Sequence, residues 1–536
     1  TFNTAFEGTL INEKTSVTDH SVKGISSIEN ISMLNLTGSG MVGVPGVSGR
    51  LFGALARNFI NVILITQASS EHSICFVIDS KESAHARAAV EEEFEHEIKS
   101  GKIDKLHEKD NLAIVAVVGD NMRHTPGIAG KLFSALGKNG VNVVAIAQGS
   151  SEINLSVVID KSNLTKALNV IHESFFLSDV KTINVFVVGV GLIGSALLKQ
   201  LQKQGAYLLK EKNFKINVVA LANSKKMLIN ENGIALTSWK EKLDEQGEKA
   251  NLKEFVKRMV ELNLRNSIFV DNTSNKDVVS FYHTILDESI SIVTPNKLAN
   301  SGLYKDYKKL QETAFKRGVK LMYETNVGAG LPVINTLNDL KDSGDKIIRI
   351  EGVLSGTLSY IFNNFKGDKK FSDIVKEAKE KGFTEPDPRD DLNGKDVARK
   401  ILILARESGF NLEFDDVVVE NILPAPCLKA KSVEEFFIQL EKNNDVFSKK
   451  RDAADKAHKV LRFIAKLENG KAEVSLQAVD STHPFYSLSG SDNMIAYTTE
   501  RYKERPLVIK GPGAGAEVTA AGVFGDIIRI SNYLKG

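Results

Sequence analysis

The residues most able to do chemistry stand in the stretch "TEPDPRDDLNGKDVARK", residues 384–400, where five carboxylates and four cations precede the apolar run "ILILARESGF". Pro386 and Pro388 exclude helix and hold Glu385 and Asp387 on extended backbone, so the pattern predicts a helix that starts near Asp390 or Asp391. Asp396 and Lys400 then share one helical face, beside the apolar stripe of Val397, Ile401 and Leu404. The commonest reason for such spacing is an exposed ion pair worth about 0.3–0.5 kcal/mol. Glu385, Asp391, Asp396 and Lys400 converging on the first half of one helix suit another purpose. Carboxylates receive the ammonium group of a zwitterionic substrate, and a lysine held among acids can shuttle a proton.

A second constellation lies in "INVFVVGVGLIGSALLKQLQKQG". An apolar strand leads into the turn Gly189, Val190, Gly191, Leu192, Ile193 and Gly194, and a helix follows, which is the order a dinucleotide-binding turn requires. The glycines allow a tight turn and close approach of a pyrophosphate to the helix N-terminus. The next strand, "KINVVALANSKKM", ends in Ala222, Asn223 and Ser224, then Lys225 and Lys226. An NAD-specific site would place Asp or Glu there for the ribose 2′-hydroxyl, so the missing acid favours NADP, with NAD still able to bind. The strands in "SIFVDNTS" and "ISIVTPNK" end in polar residues, and ligands of open α/β sheets bind beyond the strand carboxyl ends. Thr273, Ser274 and Lys297 are thereby expected at the rim of the cofactor crevice.

These groups need several folds to position them, because 536 residues exceed one hydrophobic core. With 69 Lys plus Arg against 67 Asp plus Glu, and no basic block interleaved with aromatics, nucleic acid is not expected as a partner. Two cysteines, Cys75 and Cys427, exclude a disulfide framework and fit a reducing cytoplasm. No apolar run is long enough to span a bilayer, so no membrane is expected either. Ten histidines are scattered without ligand spacing, which argues against a histidine-based metal or catalytic site. The chain opens with "TFNTAFEGTLI" in place of Met, as though cut from something longer.

Nearer the N-terminus the chain repeats itself. "NVILITQASSEHSICFVID" (61–79) returns as "NVVAIAQGSSEINLSVVID" (142–160), with ten of nineteen positions identical at an offset of 81. Each copy follows a strand, a Gly/Pro turn and an amphipathic helix and precedes another helix, a twice-used β-α-β-β-α unit with helices on one face of its sheet. Gln67 and Gln148 recur at a strand end beside small residues, Ala68 and Ser69 in one copy and Gly149 and Ser150 in the other. An amide offers a donor and an acceptor, as the carboxylate and ammonium of a free amino acid require. These repeats resemble paired ACT domains. "VKGISSIENISMLNLTGSGM", "LITQASSEHSICF" and "AIAQGSSE" look like the regulatory region of bifunctional aspartokinase/homoserine dehydrogenases, and the resemblance implies that the two glutamines take part in binding L-threonine as an allosteric inhibitor.

From about residue 182 onward the motifs "VTPNK", "YETNVGAGLP", "EGVLSGTLSYIFN", "GFTEPDPRDDLNGKDVARK" and "GPGAGAEVTAAGVFGDIIRI" resemble, in order, those of homoserine dehydrogenases. The resemblance implies Lys400 and Asp396 as the catalytic pair, with Lys400 carrying the proton. It implies Glu385 and Asp391 as residues holding the amino-acid substrate, L-homoserine or L-aspartate 4-semialdehyde, and Lys297 as a lysine between cofactor and substrate. It further implies a monovalent-cation site, sodium by analogy, at Glu324, Val327, Ala329 and Leu331, and a glycine loop at Gly513 and Gly515 that meets the nucleotide. The family dimerises through its substrate domain, so a homodimer or homotetramer is expected.

The expected fold is α/β and α+β in several domains: two ACT-like (βαββαβ) modules, a Rossmann nucleotide-binding domain and a mixed α/β substrate and dimerisation domain. The expected boundaries are 1–106, the remnant of a kinase linker with the first ACT-like domain, then 107–181, 182–330, 331–505, and 506–536 returning to the nucleotide-binding domain. The bifunctional family also carries a Lys-x-Gly-Gly type phosphate loop, which is missing here, so kinase activity is not expected of this chain. An aspartate-semialdehyde dehydrogenase would need a nucleophilic cysteine, and Cys75 and Cys427 both lie outside the motifs. A pure amino-acid sensor with a relic dehydrogenase is opposed by the presence of Lys297, Glu385, Asp396 and Lys400 together.

Overall fold

A computed structural model describes residues 21–67, 69–176 and 180–533. The opening stretch "TFNTAFEGTLI" and Ala68 lie outside these residues. The chain divides into two units between Val180 and Lys181.

The first unit is built on six strands, β1 (Gly24–Thr37), β2 (Leu64–Gln67), β3 (Ser73–Asp79), β4 (His107–Val118), β5 (Val143–Gln148) and β6 (Asn154–Asp160), in the order β2-β3-β1-β4-β6-β5. The two halves bury matching positions: Leu34, Leu36, Leu51, Phe76 and Val90 in one, Val115, Val117, Leu132, Val157 and Ile171 in the other, each at the repeat offset. In the first repeat the completing strand, the leading half of β4, follows the last helix as the βαββαβ pattern led us to expect, but in the second repeat that strand is the leading half of β1, which precedes that whole repeat. The leading half of β1 pairs with the trailing half of β4 (Ile25 with Val117), and the leading half of β4 with the trailing half of β1 (His107 with Asn35). Each long strand serves both repeats, with Asn30 and Asn111 in the left-handed region where the register shifts. Periodicity reveals the faces of a strand but not its partner, so this exchange was not legible in the sequence.

The second unit holds two sheets. In the first, β7 (Lys181–Val188), β8 (Phe214–Ala222), β11 (Ser267–Asp271), β12 (Ser291–Val293) and β13 (Leu321–Met322) run parallel, with β9 (Lys226–Ile229) and β10 (Glu248–Lys249) extending one edge antiparallel, in the order β10-β9-β8-β7-β11-β12-β13. Helix Leu192–Lys212 makes the β7-to-β8 crossover and packs with Ile183, Val185 and Val187 through Leu197 and Leu201. The final helix, Ala516–Tyr533, adds Ala520, Val523, Ile527 and Ile530 to the same core. The second sheet comprises β14 (Ile347–Val353), β15 (Val418–Val419), β16 (Val460–Glu468), β17 (Lys471–Val479), β18 (Asp492–Thr499) and β19 (Leu507–Pro512), in the order β15-β17-β16-β14-β18-β19. Because β19 pairs with β18, the chain leaves this sheet only at Gly513–Gly515, later than the expected boundary at 506.

Helix Lys395–Glu407 packs on the second sheet and is buried almost all round from Val397 to Glu407. Its start departs from expectation. Pro388 does not exclude helix but opens a short one, Pro388–Leu392, capped by the Asp387 side chain, because proline's missing N–H is unpaired at a first helical position anyway. Gly394, at φ +71°, then breaks the chain before the long helix begins at Lys395. A Cβ at Gly394 would lie 3.0 Å from Val419 and 3.1 Å from Phe463. We expect Gly394→Ala to lower the stability of the protein by about 1–3 kcal/mol, from backbone strain and collision together. Gly409→Ala, at a similarly left-handed glycine with nothing within 4 Å, should cost less. Thermal melts of the two variants measure the difference.

Candidate active site

Where the two sheets of the second unit meet, a cavity of about 830 Å³ opens. Ile193, Thr273, Ser274 and Lys297 line it from the parallel sheet; Glu385, Asp391, Asp396 and Lys400 line it from the other side, and Gly513 and Gly515 from the crossing loop. The acids and Lys400 therefore gather as predicted, but from a loop and two helices and not from one helix.

The three glycines of the first turn differ in purpose. A Cβ at Gly194 would stand 2.0 Å from the carbonyl oxygen of Gly189, and one at Gly189, where φ is +89°, would stand 2.8 Å from Thr273, so both are needed for the turn itself. Gly191 faces open space, where a pyrophosphate can approach. Val190 is buried, whereas Leu192 is 84% exposed at the mouth of the turn. At the end of β8 the Asn223 side chain accepts the backbone N–H groups of Lys225 (2.8 Å) and Lys226 (2.7 Å), with Ser224 exposed at the tip. Lys226 is tied to the carbonyl of Asp244, and Lys225 beside it is exposed. Gly513 admits no side chain, since a Cβ there would meet Asn493 at 2.0 Å.

Asp396 is the centre of the charged group. Its carboxylate lies 2.7 Å from Lys400 Nζ and 3.4 Å from Lys297 Nζ, and Lys400 also donates to the carbonyl of Leu354 at 2.6 Å. Lys400 is 8% exposed, so the i,i+4 pair is not the solvated one that spacing alone would favour. Burial would raise the Asp396 carboxyl, but the ammonium groups of Lys400 and Lys297 overcome it and hold it well below the usual carboxylate range. Burial pushes the Lys297 ammonium below the ordinary lysine value, with Asp396 opposing and Lys400 adding to the fall. Asp391 accepts the Thr357 hydroxyl (2.9 Å) and the Glu385 N–H (2.8 Å), and burial raises its carboxyl above the usual range. Asp391 thus shapes the loop that presents exposed Glu385 to the cavity. Thr357, in "EGVLSGTLSYIFN", was not singled out from the sequence; only its place at the start of a helix could have suggested it.

Of the four expected cation ligands, Ala329 lines the cavity, with its backbone at φ +52°. Glu324 is buried nearby, and its two oxygens accept the N–H groups of Ile334 (2.6 Å) and Asn335 (2.9 Å). Burial pushes it up to about 7, with neighbouring Asp526 adding to the rise. Leu331 accepts the Val333 N–H at 2.9 Å, and the buried Val327 donates its own N–H to Glu324 O at 3.3 Å. Carboxylate and carbonyl oxygens suit a hard cation, and each keeps a second lone pair. Both thiols are free, Cys75 half-buried and Cys427 buried, and burial raises both, the reverse of what a nucleophile needs.

In the first unit, Gln67 ends β2 and lines a cavity of about 370 Å³ with Met41, Ser48 and Glu71. Gln148 ends β5 at the matching position. Glu71 accepts the N–H of Gly43 (3.0 Å) as Glu152 accepts that of His124 (2.8 Å), so each repeat ties the loop before its first helix to the turn after its glutamine.

A parallel sheet whose glycine turn and strand ends open on a charged cavity is the architecture of a nicotinamide-dependent oxidoreductase. The sequence matches the homoserine dehydrogenase family over residues 332–528, the homoserine dehydrogenase NAD-binding domain over 189–324, and the ACT domain over 34–94 and 115–175. The bifunctional aspartokinase/homoserine dehydrogenase 1, chloroplastic, of Arabidopsis thaliana is 44% identical over 542 residues, 99% of this chain but 59% of that protein. The homoserine dehydrogenase of Schizosaccharomyces pombe is 42% identical over 363 residues, 66% of this chain and 96% of that protein. A hyperthermophilic archaeal homoserine dehydrogenase solved in complex with NADPH shares the fold at a TM-score of 0.51 and 24% identity, over 66% of this chain and 98% of its own. The chain belongs to the homoserine dehydrogenase family and carries paired ACT domains. It spans about 59% of the length of the bifunctional Arabidopsis relative.

The depressed Asp396 carboxyl carries a pH signature. Stabilisation of a group whose folded pKa is lowered is fully present above the unfolded value, about 3.9 for aspartate, and is lost as pH falls through the folded value. Asp396→Asn is therefore expected to melt below the wild type at neutral pH. The gap is held within about 1 kcal/mol because half of the Asp396 side chain faces water in the cavity. It should narrow on acidification below about pH 4. Thermal melts of both proteins across pH check this.

Proposed function

We propose that this protein catalyses the reversible, NADP-dependent interconversion of L-aspartate 4-semialdehyde and L-homoserine, a step of threonine and methionine biosynthesis. The observation that carries the reading is the Lys297–Asp396–Lys400 group, which faces the same cavity as the glycine-turn sheet ends. The nicotinamide, when bound, supplies the hydride to the carbonyl carbon. Lys400 delivers the proton from Nζ to the forming alkoxide, and Asp396 fixes it on the reacting side. Lys297 adds positive charge where the alkoxide develops, at a site held ready before reaction. Glu385 receives the substrate ammonium and Asp391 holds the Glu385 loop, so that most of the acceleration comes from orientation and preorganised charge.

NADP is favoured over NAD because Asn223 and Ser224 stand where an acid would select the free ribose hydroxyl, and exposed Lys225 can meet a 2′-phosphate. A monovalent cation, sodium by resemblance, sits at Glu324, Val327, Ala329 and Leu331 in this reading. The ACT domains bind L-threonine at Gln67 and Gln148 and so inhibit the enzyme. The protein works as a homodimer or homotetramer in a reducing compartment such as the cytoplasm, and its bifunctional relatives suggest that aspartate kinase activity belongs to the same system.

Absorbance in the NADPH band, followed as homoserine is added to protein and NADP, should rise, and millimolar threonine should suppress the rise. No rise with cofactor bound would instead favour an amino-acid sensor. Lys400→Ala should lose about 10²-fold or more in kcat while NADPH binding persists; near-normal turnover would remove Lys400 from the role. Calorimetry should show threonine binding that Gln148→Ala weakens, and an unchanged affinity would return that glutamine to a turn.

A further inference from the structure

Beneath the rim of the cofactor crevice lies a polar cluster whose members were not singled out from the sequence, although Asp271 stands in "SIFVDNTS" and Thr294 and Asn296 in "VTPNK". Asp271, the last residue of β11, is fully buried, and its carboxylate accepts the Tyr282 hydroxyl (2.7 Å), the Asn296 side-chain amide (3.0 Å) and the Thr273 N–H (2.7 Å). Thr294 donates to the Asp271 carbonyl (3.0 Å), accepts the Asn296 N–H (2.9 Å) and lies 2.9 Å from the Tyr282 hydroxyl. The Asn296 amide reaches further, to the carbonyl of Asn275 (3.1 Å). Tyr282 and Thr294 are fully buried and Asn296 is 3% exposed.

An anionic carboxylate buried among neutral donors is costly, and apolar side chains of the same volume would hold a sheet edge at less expense. Stability of the sheet therefore does not account for the cluster. Its geometry does connect two loops. Thr273 and Ser274 follow Asp271 after the single residue Asn272, Lys297 follows Asn296, and all three loop residues line the cavity. The amide of Asn296 bonds both to Asp271 and to the far side of the first loop, stapling one to the other.

We infer that Asp271, Tyr282, Thr294 and Asn296 form a positioning device that locks the Thr273–Ser274 and Pro295–Lys297 loops in register. Lys297 thereby meets Asp396 while Thr273 and Ser274 are held facing the cavity. None of these four residues lines the cavity; they act through Lys297 and Thr273. The inference rests on the dehydrogenase reading for what the loops hold. Reaction rates fall steeply when reacting groups drift by a fraction of an ångström, so loss of one bond in the device should be felt in turnover before it is felt in folding.

The test is Tyr282→Phe in the full chain, which removes one hydroxyl and keeps the ring. Stability, kcat and KM for homoserine oxidation, and dissociation constants for NADPH and for 2′,5′-ADP are measured. The expected result is a fall of about tenfold in kcat with a smaller change in KM for homoserine. NADPH binding should weaken several-fold, while that of 2′,5′-ADP, which has no nicotinamide half, stays the same. A lowered melting temperature with unchanged kcat per folded molecule and an unchanged ratio of the two affinities would make the cluster structural only and overturn the inference. Should Tyr282→Phe not fold, Thr294→Val decides on the same readouts, and Thr294→Ser, which restores the hydroxyl, should recover wild-type values. If the wild type oxidises no homoserine, the dehydrogenase reading fails by itself, and the ratio of NADPH to 2′,5′-ADP affinity alone then supports or overturns the device.

Discussion

The second unit is organised around one constraint: helix Lys395–Glu407 is buried on nearly every side yet carries charges at both ends. Each buried charge must find a partner, and the search for partners draws the surrounding elements into place. At the far end Arg406 donates to the carbonyls of Asn300, Gly302 and Leu412, while Glu407 accepts from Tyr323 (2.5 Å), Tyr307 (3.0 Å) and Asn338 (3.0 Å). These bonds fix the helix against the segment that follows β12 and against the helix Ile334–Asp342. At the near end Lys400 reaches Asp396 and the carbonyl of Leu354, the residue just after β14. The helix is thus located along its axis as well as around it, and its first turn faces the cavity.

That placement gives Asp396 two cations from different sides of the cavity. Lys400 comes from its own helix and Lys297 from the loop after β12, so a single carboxylate joins the parallel-sheet side of the cavity to the side formed by helix Lys395–Glu407. The interaction is more than an ion pair on a surface, because both lysines lie among groups that exclude much of the solvent, and charges there act at lower dielectric. Asp396 is held ionised by the lysines, and its charge offsets their mutual repulsion so that both can stand beside it.

Glycine performs the complementary task of letting backbones come close. Gly194 against Gly189, Gly513 against Asn493 and Gly394 against Phe463 each occupy a place where a Cβ would collide. The first closes the turn at the mouth of the dinucleotide site, the second lets the chain pass from β19 to the final helix beside the cavity, and the third separates the short helix bearing Asp391 from the long one bearing Asp396. In the first unit the left-handed Asn30 and Asn111 play a similar part, bending β1 and β4 so that each can serve both repeats.

By itself the sequence determined much of this protein. The 81-residue repeat, the strand, glycine turn and helix from residue 183, and the buried run after Lys400 are patterns of neighbours along the chain, and local sterics with alternating burial suffice to make them readable. Thr273, Ser274, Lys297 and Glu385 were legible as site candidates because each stands at a strand end or beside a proline, and Asp391, Asp396 and Lys400 because helical spacing and the crowding of charges drew them together. Only the tertiary structure decided that Asp396 lies between two lysines, that the Lys400 end of the i,i+4 pair is buried while half of Asp396 faces the cavity, and that Pro388 begins a helix. It alone revealed the Asp271 cluster and the exchange of strands between repeats. Those outcomes depend on which distant segments share a dielectric and complete each other's hydrogen bonds, and a one-dimensional order of residues carries no distance between such segments.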